Sequence, residues 1–262
     1  MQPLNEHKII RTINTKETSM KLKKIELLGV AMLMMLPLLV ITACDDDDEI
    51  AGDGKATSNT TSTSASTEVN FDANDYEYVN MGLSVLWATE NVGTTEDEEN
   101  GIQYAYYAFG TNGTSDSYIS DNCDTHGIEV TETDIKGNSD YDAARKIMGG
   151  SWRIPTQKEF EELCDTANCT WTWDSSDGGY YVKSIETENE IFLPANGYKD
   201  GSKTMDSEHG NYWTCTPDGT YDNTTAYYLH FYYEDGEDYL LFPSQARYCG
   251  RQIRAVTEYP ED

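Results

Sequence analysis

The chain has 262 residues, of which 47 are acidic and 18 basic, giving a formal net charge of −29 at pH 7. Such a polyanion gains no counterion release from phosphates, which excludes nucleic acid as a partner. It also has no basic cluster beyond residue 44, which excludes direct adhesion to anionic lipid headgroups.

Residues 1–19 have no hydrophobic periodicity and read as an over-extended start, with Met20 as the preferred initiator. Residues 20–44 read as a lipoprotein signal peptide. Lys21, Lys23 and Lys24 supply its positive region, residues 27–41 its apolar region, and Thr42-Ala43 the small residues before the cut. The apolar run is shorter than the roughly 20 residues that span a bilayer, and Gly29 and Pro37 interrupt it. A permanent transmembrane helix is therefore the weaker reading. Cys44 becomes the lipidated first residue, and two or three acyl chains hold the protein where one would not.

Asp45, Asp46, Asp47, Asp48 and Glu49 follow at once. An aspartate directly after the lipidated cysteine marks inner-membrane retention in some Gram-negative bacteria. An acidic run resembles the surface-export signal of gut anaerobes, and a solvated run with no sorting role is the third reading. The length of the run favours surface export, so the expected address is the outer membrane, lipid-anchored and facing outward.

Residues 45–70 carry almost no large apolar side chain and cannot offset chain entropy by burial. They read as an acidic, Ser/Thr-rich tether with a reach of roughly 25–30 Å. From Phe71 the composition turns aromatic, and residues 71–259 read as a single domain. Alternation and turn residues predict strands at 77–81, 84–88, 103–109, 170–173, 180–185, 190–193, 211–215, 226–233, 238–242 and 248–256. Two helices interrupt them. Residues 140–148 stop at Gly149-Gly150, and the T-x-x-E box of Thr156 and Glu159 opens a second, with Phe160, Leu163 and Cys164 on one face. The class is α+β with mostly antiparallel short strands.

A family resemblance rests on motifs in order. They are Met81-Gly82-Leu83-Ser84-Val85-Leu86-Trp87-Ala88-Thr89 with Asn91-Val92-Gly93, Gly150-Ser151-Trp152-Arg153-Ile154-Pro155-Thr156, Cys169-Thr170-Trp171-Thr172-Trp173, Ile191-Phe192-Leu193-Pro194-Ala195-Asn196-Gly197-Tyr198, Tyr212-Trp213-Thr214 and Arg251-Gln252-Ile253-Arg254-Ala255-Val256. Over residues 78–257 the chain resembles the Fibrobacter succinogenes major paralogous domain. The resemblance implies a C-type-lectin-like fold in the variant shared with formylglycine-generating enzymes, and a surface or secreted module. Those enzymes bind copper(I) through two cysteines five residues apart. Cys249 matches the first and Arg254 stands at the second, so the resemblance does not extend to that oxidase.

Among the remaining cysteines, Cys215 and Cys249 are the first choice for a disulfide, because the fold implied by the resemblance brings them near each other. Buried free thiols are the alternative. Cys123 and His126 make half a metal site with no second half, and no metal or cofactor is expected. The acidic run Glu234-Asp235-Gly236-Glu237-Asp238 reads as a hairpin turn before it reads as a calcium chelate. Thr166, in Asp165-Thr166-Ala167, matches a short O-glycosylation pattern of gut anaerobes.

Strand alternation places Tyr227, Leu229, Phe231 and Tyr233 on one face and Tyr228, His230 and Tyr232 on the other. With the first face as core, the second offers flat rings for stacking on sugars or peptide side chains. The alternative is a second packed face. Two polar loops, residues 199–210 and 216–225, are expected to flank this surface. The expectation is a non-enzymatic binding module for a glycan or a surface protein, against a structural subunit of a surface appendage or envelope complex, with a hydrolase as a distant third.

Overall fold

The computed structural model describes residues 10–11, 69–71, 76–97, 99 and 101–260. Cys44, the apolar run, the acidic run and nearly all of the tether lie outside the described residues.

In chain order the strands and helices begin with β1 (Ile10–Arg11), β2 (Val69–Phe71), β3 (Glu77–Val79), β4 (Leu86–Asn91), β5 (Thr95–Asp97) and β6 (Gly101–Gln103). Three helices follow: α1 (Glu132–Ile135), α2 (Ala143–Met148) and α3 (Gln157–Cys164). The rest is sheet: β7 (Cys169–Asp174), β8 (Gly179–Ser184), β9 (Glu190–Pro194), β10 (Tyr198–Asp200), β11 (Lys203–Met205), β12 (Gly210–Asp218), β13 (Thr225–Glu234), β14 (Glu237–Leu241), β15 (Ser244–Ala246) and β16 (Arg254–Thr257).

Every named strand pair is antiparallel, and the α+β class holds. One sheet runs β1-β14-β13-β12 with β15 also on β13, a second runs β16-β4-β3-β2, and a third β7-β8-β9. The helix expected from Thr156 forms with both halves of its capping box, and Phe160, Leu163 and Cys164 are buried. Asp142 caps α2 through the Arg145 amide. The expectation of two helices is corrected to three α-helices among the described residues. The added one, α1, is a single turn with its own capping box from Thr131 and Asp134, too short to show apolar periodicity.

Two expected strands are also corrected. Within 103–109 only Gln103 is in a strand, and Tyr107 makes an isolated bridge to Arg251. Within 248–256 the strand starts at Arg254, because the preceding residues bridge several partners in turn: Gly250 to Lys199, Arg251 to Tyr107 and Gln252 to Tyr212. Alternating apolar residues look the same whether one strand or several short segments receive them.

The β12–β13 pair lies between two apolar layers. Tyr212, Leu229 and Phe231 enter one with Trp87, Phe160, Tyr180 and Leu193. Trp213, Ala226 and Tyr228 enter the other with Phe109, Trp152, Ile154 and Ile253. Alternation along a strand sends neighbours to opposite faces, and here both faces are covered. Gly210 sits opposite Phe231, and a Cβ at Gly210 would lie 2.0 Å from the ring. Gly210→Ala is therefore expected to cost about 1–3 kcal/mol in urea unfolding through overpacking. An unchanged midpoint would mean that Phe231 does not lie over this glycine.

Cys215 and Cys249 are buried in the same apolar layer as free thiols, as are Cys123, Cys164 and Cys169 in their own surroundings. The expected Cys215–Cys249 bond is not formed. Burial pushes both thiols up, withholding the thiolate that oxidation needs, and the two behave as small core hydrophobes. Arg254 is fully buried. It donates from Nε to Asn91 Oδ1 at 2.8 Å and from its terminal nitrogens to the carbonyls of Ala88 (3.0 Å), Thr89 (2.5 Å) and Phe192 (2.7 Å). It ties β16 to β4 and β9.

Candidate functional site

The face carrying Tyr228, His230 and Tyr232 changes character along β13. Tyr228 is buried: it packs edge-on to Trp213, with the Arg251 guanidinium 3.8 Å above its ring. Arg251 also lies over Trp213 at 4.3 Å and Tyr198 at 4.9 Å, so three rings box a buried cation. The expectation that Tyr228 contacts a ligand is corrected, because the second apolar layer covers this end of the strand. His230 and Tyr232 lie beyond the edge of that layer and are half-buried.

Here a cleft of about 800 Å³ opens between the β7–β8 turn and the end of β13. His230, Tyr232, Tyr233 and Glu234 form one wall, and Trp173, Ser175, Asp177 and Gly178 the other. Ala195, Asn196, Ser207, Glu208 and His209 complete the lining. The volume suits a small ligand or one or two units of a chain.

Local chemistry fixes each wall. In the β7–β8 turn the Asp174 carboxylate accepts from the amides of Ser176 (2.7 Å) and Asp177 (3.0 Å). The acidic run of β13–β14 makes a two-residue hairpin turn, with Asp235 at φ 53° and Gly236 at φ 86°, the backbone that Asp-Gly favours. The Tyr180 hydroxyl then joins the walls, donating to Asp238 at 2.7 Å. At the third side the Gly197 amide donates to the His209 carbonyl at 2.8 Å. Gly197 has φ 68°, and a Cβ there would lie 2.0 Å from the Met205 carbonyl, so only glycine lets this segment approach closely enough to place His209.

Stacked rings brace the cleft, with Tyr232 held between Tyr239, outside the lining, and His209. Tyr239, Tyr232 and His209 form a ladder, with centroids 4.5 Å apart at 6° and 4.6 Å apart at 14°. Trp173 lies parallel to Tyr233, 6.2 Å away at 9°. Asn196 has a buried side-chain nitrogen with no hydrogen-bond partner among the described residues. The side chains of this lining include three carboxylates and no lysine or arginine.

His209 Nδ1 and His230 Nε2 are 3.0 Å apart, so one donates and the other accepts. Burial, His209 and Arg251 together push His230 down to about 4, with Asp206 opposing. An unfolded imidazole takes up its proton near 6.5, whereas the folded one waits until about 4. The unfolded chain thus binds more protons between these values. The contribution is complete above pH 6.5 and is lost as pH falls towards 4. After discounting for partial solvent access it is on the order of 2 kcal/mol. His230→Gln is expected to flatten this part of the stability profile in urea titrations from pH 7 to 4. A slope equal to wild type would assign it to carboxylates alone.

The structure thus joins His230 and Tyr232 and separates Tyr228 from them. Of the two expected loops, residues 199–210 contribute Ser207, Glu208 and His209. Residues 216–225 do not, since Asp218 pairs with Thr225 at the far end of the hairpin. Thr166 is exposed in the turn between α3 and β7, away from the cleft lining. Sequence reasoning missed Trp173, Asn196 and His209. No local pattern reveals that the end of β7 bearing the tryptophan meets the end of β13. No family model, curated protein or solved structure matches the chain.

Proposed function

We propose that the protein is a surface-exposed lipoprotein whose C-type-lectin-like domain is a non-enzymatic binding module, and that the cleft takes a carbohydrate. The observation that carries the reading is one open cleft whose lining combines the aromatic side chains of Trp173, Tyr232 and Tyr233 with the polar groups of Asn196, Ser207, His209 and His230. Exposed ring faces stack on the C–H faces of sugars, while hydroxyl, amide and carboxylate groups fix orientation. Unspent polar capacity at Asn196 and carboxylates on both walls suit a polyol.

The anchor half rests on residues 20–44 and on Cys44. Cleavage before Cys44 also removes β1, so the sheet of the mature protein ends at β14. Cys44→Ser should move the protein from the membrane to the soluble fraction. Glycan-array binding by the lipidated protein tests the other half. Reproducible binding to a sugar class supports the module, and a blank array with co-purification of an envelope protein supports a structural subunit instead.

A further inference from the structure

We infer that the outer edge of β14 is the docking site of an extended, basic segment of a partner protein, which adds to the sheet as a further antiparallel strand. The inference rests on cleavage before Cys44, proposed above. Before cleavage a segment of the chain itself occupies the edge: β1 pairs with β14 in the register Ile10↔Leu240 and Arg11↔Tyr239. Among the described residues β14 otherwise pairs only with β13. Loss of β1 therefore bares a row of backbone donors and acceptors, the template on which another strand forms. The tether left behind, residues 45–68, has one basic residue, Lys55, between Gly54 and Ala56. It does not repeat the Ile10-Arg11 pattern, so the replacement comes from another chain.

Three features of the edge set the chemistry of that strand. Leu240 is buried in the apolar layer of Phe231 and Trp87, and a residue directly opposite it shares its face, so an aliphatic side chain there extends the core. Tyr239 and Tyr232 are a register pair whose rings are parallel and 4.5 Å apart. That is close to the roughly 4.8 Å between neighbouring strands, so the stack runs across the sheet. Tyr239 is its outer ring, and the next place falls on the added strand, where a guanidinium or ammonium meets the negative face of the ring. Glu237 is the third feature. It lies on the face of Tyr239 two residues away, diagonal to that place, and accepts from the Tyr239 hydroxyl at 3.4 Å. With Glu234 and Asp235 at the adjoining hairpin turn, it attracts a cation and repels a second copy of this acidic edge.

The test uses the mature lipoprotein in detergent, its N-terminus read by mass spectrometry, with a fluorescein-labelled peptide of residues 5–16 as the probe. Fluorescence anisotropy is expected to show saturable binding, which Arg11→Glu in the peptide weakens by about tenfold. Glu237→Arg in the protein should weaken the native peptide and restore the Arg11→Glu peptide. Hydrogen exchange should slow along β14 when the native peptide is bound. No saturable binding to protein that starts at Cys44 overturns the inference and leaves the anchor reading standing. Equal binding of a peptide with the same residues in scrambled order overturns it as charge attraction alone. Protection of the β14 amides that needs no peptide and rises with protein concentration overturns it in favour of a second copy. A purified protein that retains residues 1–43 overturns the anchor reading and the inference with it.

Discussion

Arg254→Met is expected to destabilise the domain by at least about 3 kcal/mol and to leave a large unfolded fraction at 37 °C. The arginine is 1 % exposed and serves four acceptors, one side-chain oxygen and three backbone carbonyls, on two different strands. Each acceptor left buried and unpaired costs about 1–3 kcal/mol. Removing a desolvated charge works the other way, since burial already pushes Arg254 down from its ordinary value. Four lost bonds outweigh that relief, because methionine fills the volume and pairs with none of the acceptors. Lysine should restore little: a single ammonium cannot reach strands β4 and β9 in the fork geometry that a guanidinium has. Urea unfolding of the three proteins checks this. A methionine variant within 0.5 kcal/mol of wild type would mean that the carbonyls are reached by water.

Trp173→Ala and Tyr232→Ala should each weaken carbohydrate binding by at least about tenfold, and together abolish detectable binding. Both rings are half-buried, each with one parallel aromatic neighbour or more, so the stability cost should stay near 1–2 kcal/mol. Tyr228→Ala is expected to behave in the opposite way. It removes the closest of the three rings around Arg251 and opens a cavity beside Trp213, which should cost about 3–5 kcal/mol without a specific effect on the ligand. Calorimetric titration beside thermal unfolding separates the two classes. Binding that survives loss of Trp173 and Tyr232 in a folded protein would remove the cleft from consideration.

Much of the fold was legible because strand alternation and capping boxes are local. The Thr156–Glu159 box and the apolar face of α3 form as the residues dictate, and the long hairpin of β12 and β13 falls where its aromatics alternate. What was not legible depends on contacts distant in sequence. Whether the Tyr228 face meets solvent is decided by Phe109, Trp152 and Ile253, which no pattern inside β13 can announce. The site was half legible for the same reason. His230 and Tyr232 stand out as polar and aromatic on an alternating strand, but Trp173 reaches them through the packing of two hairpins distant in sequence, joined by the Tyr180–Asp238 bond and the Trp173–Tyr233 and Tyr180–Phe231 ring contacts. Of the two readings for Cys215 and Cys249, a bond or buried free thiols, the structure has the second, and burial pushes both thiols up.

The most direct test of the carbohydrate reading is to record the tryptophan indole N–H signals by nuclear magnetic resonance while an array-positive oligosaccharide, or chitotetraose, is titrated in. Trp173 lines the cleft, whereas Trp87, Trp152 and Trp213 are fully buried away from it. The account predicts a saturable shift of the Trp173 signal, with the three buried signals nearly still. Saturable binding that moves other signals and leaves Trp173 in place would contradict it.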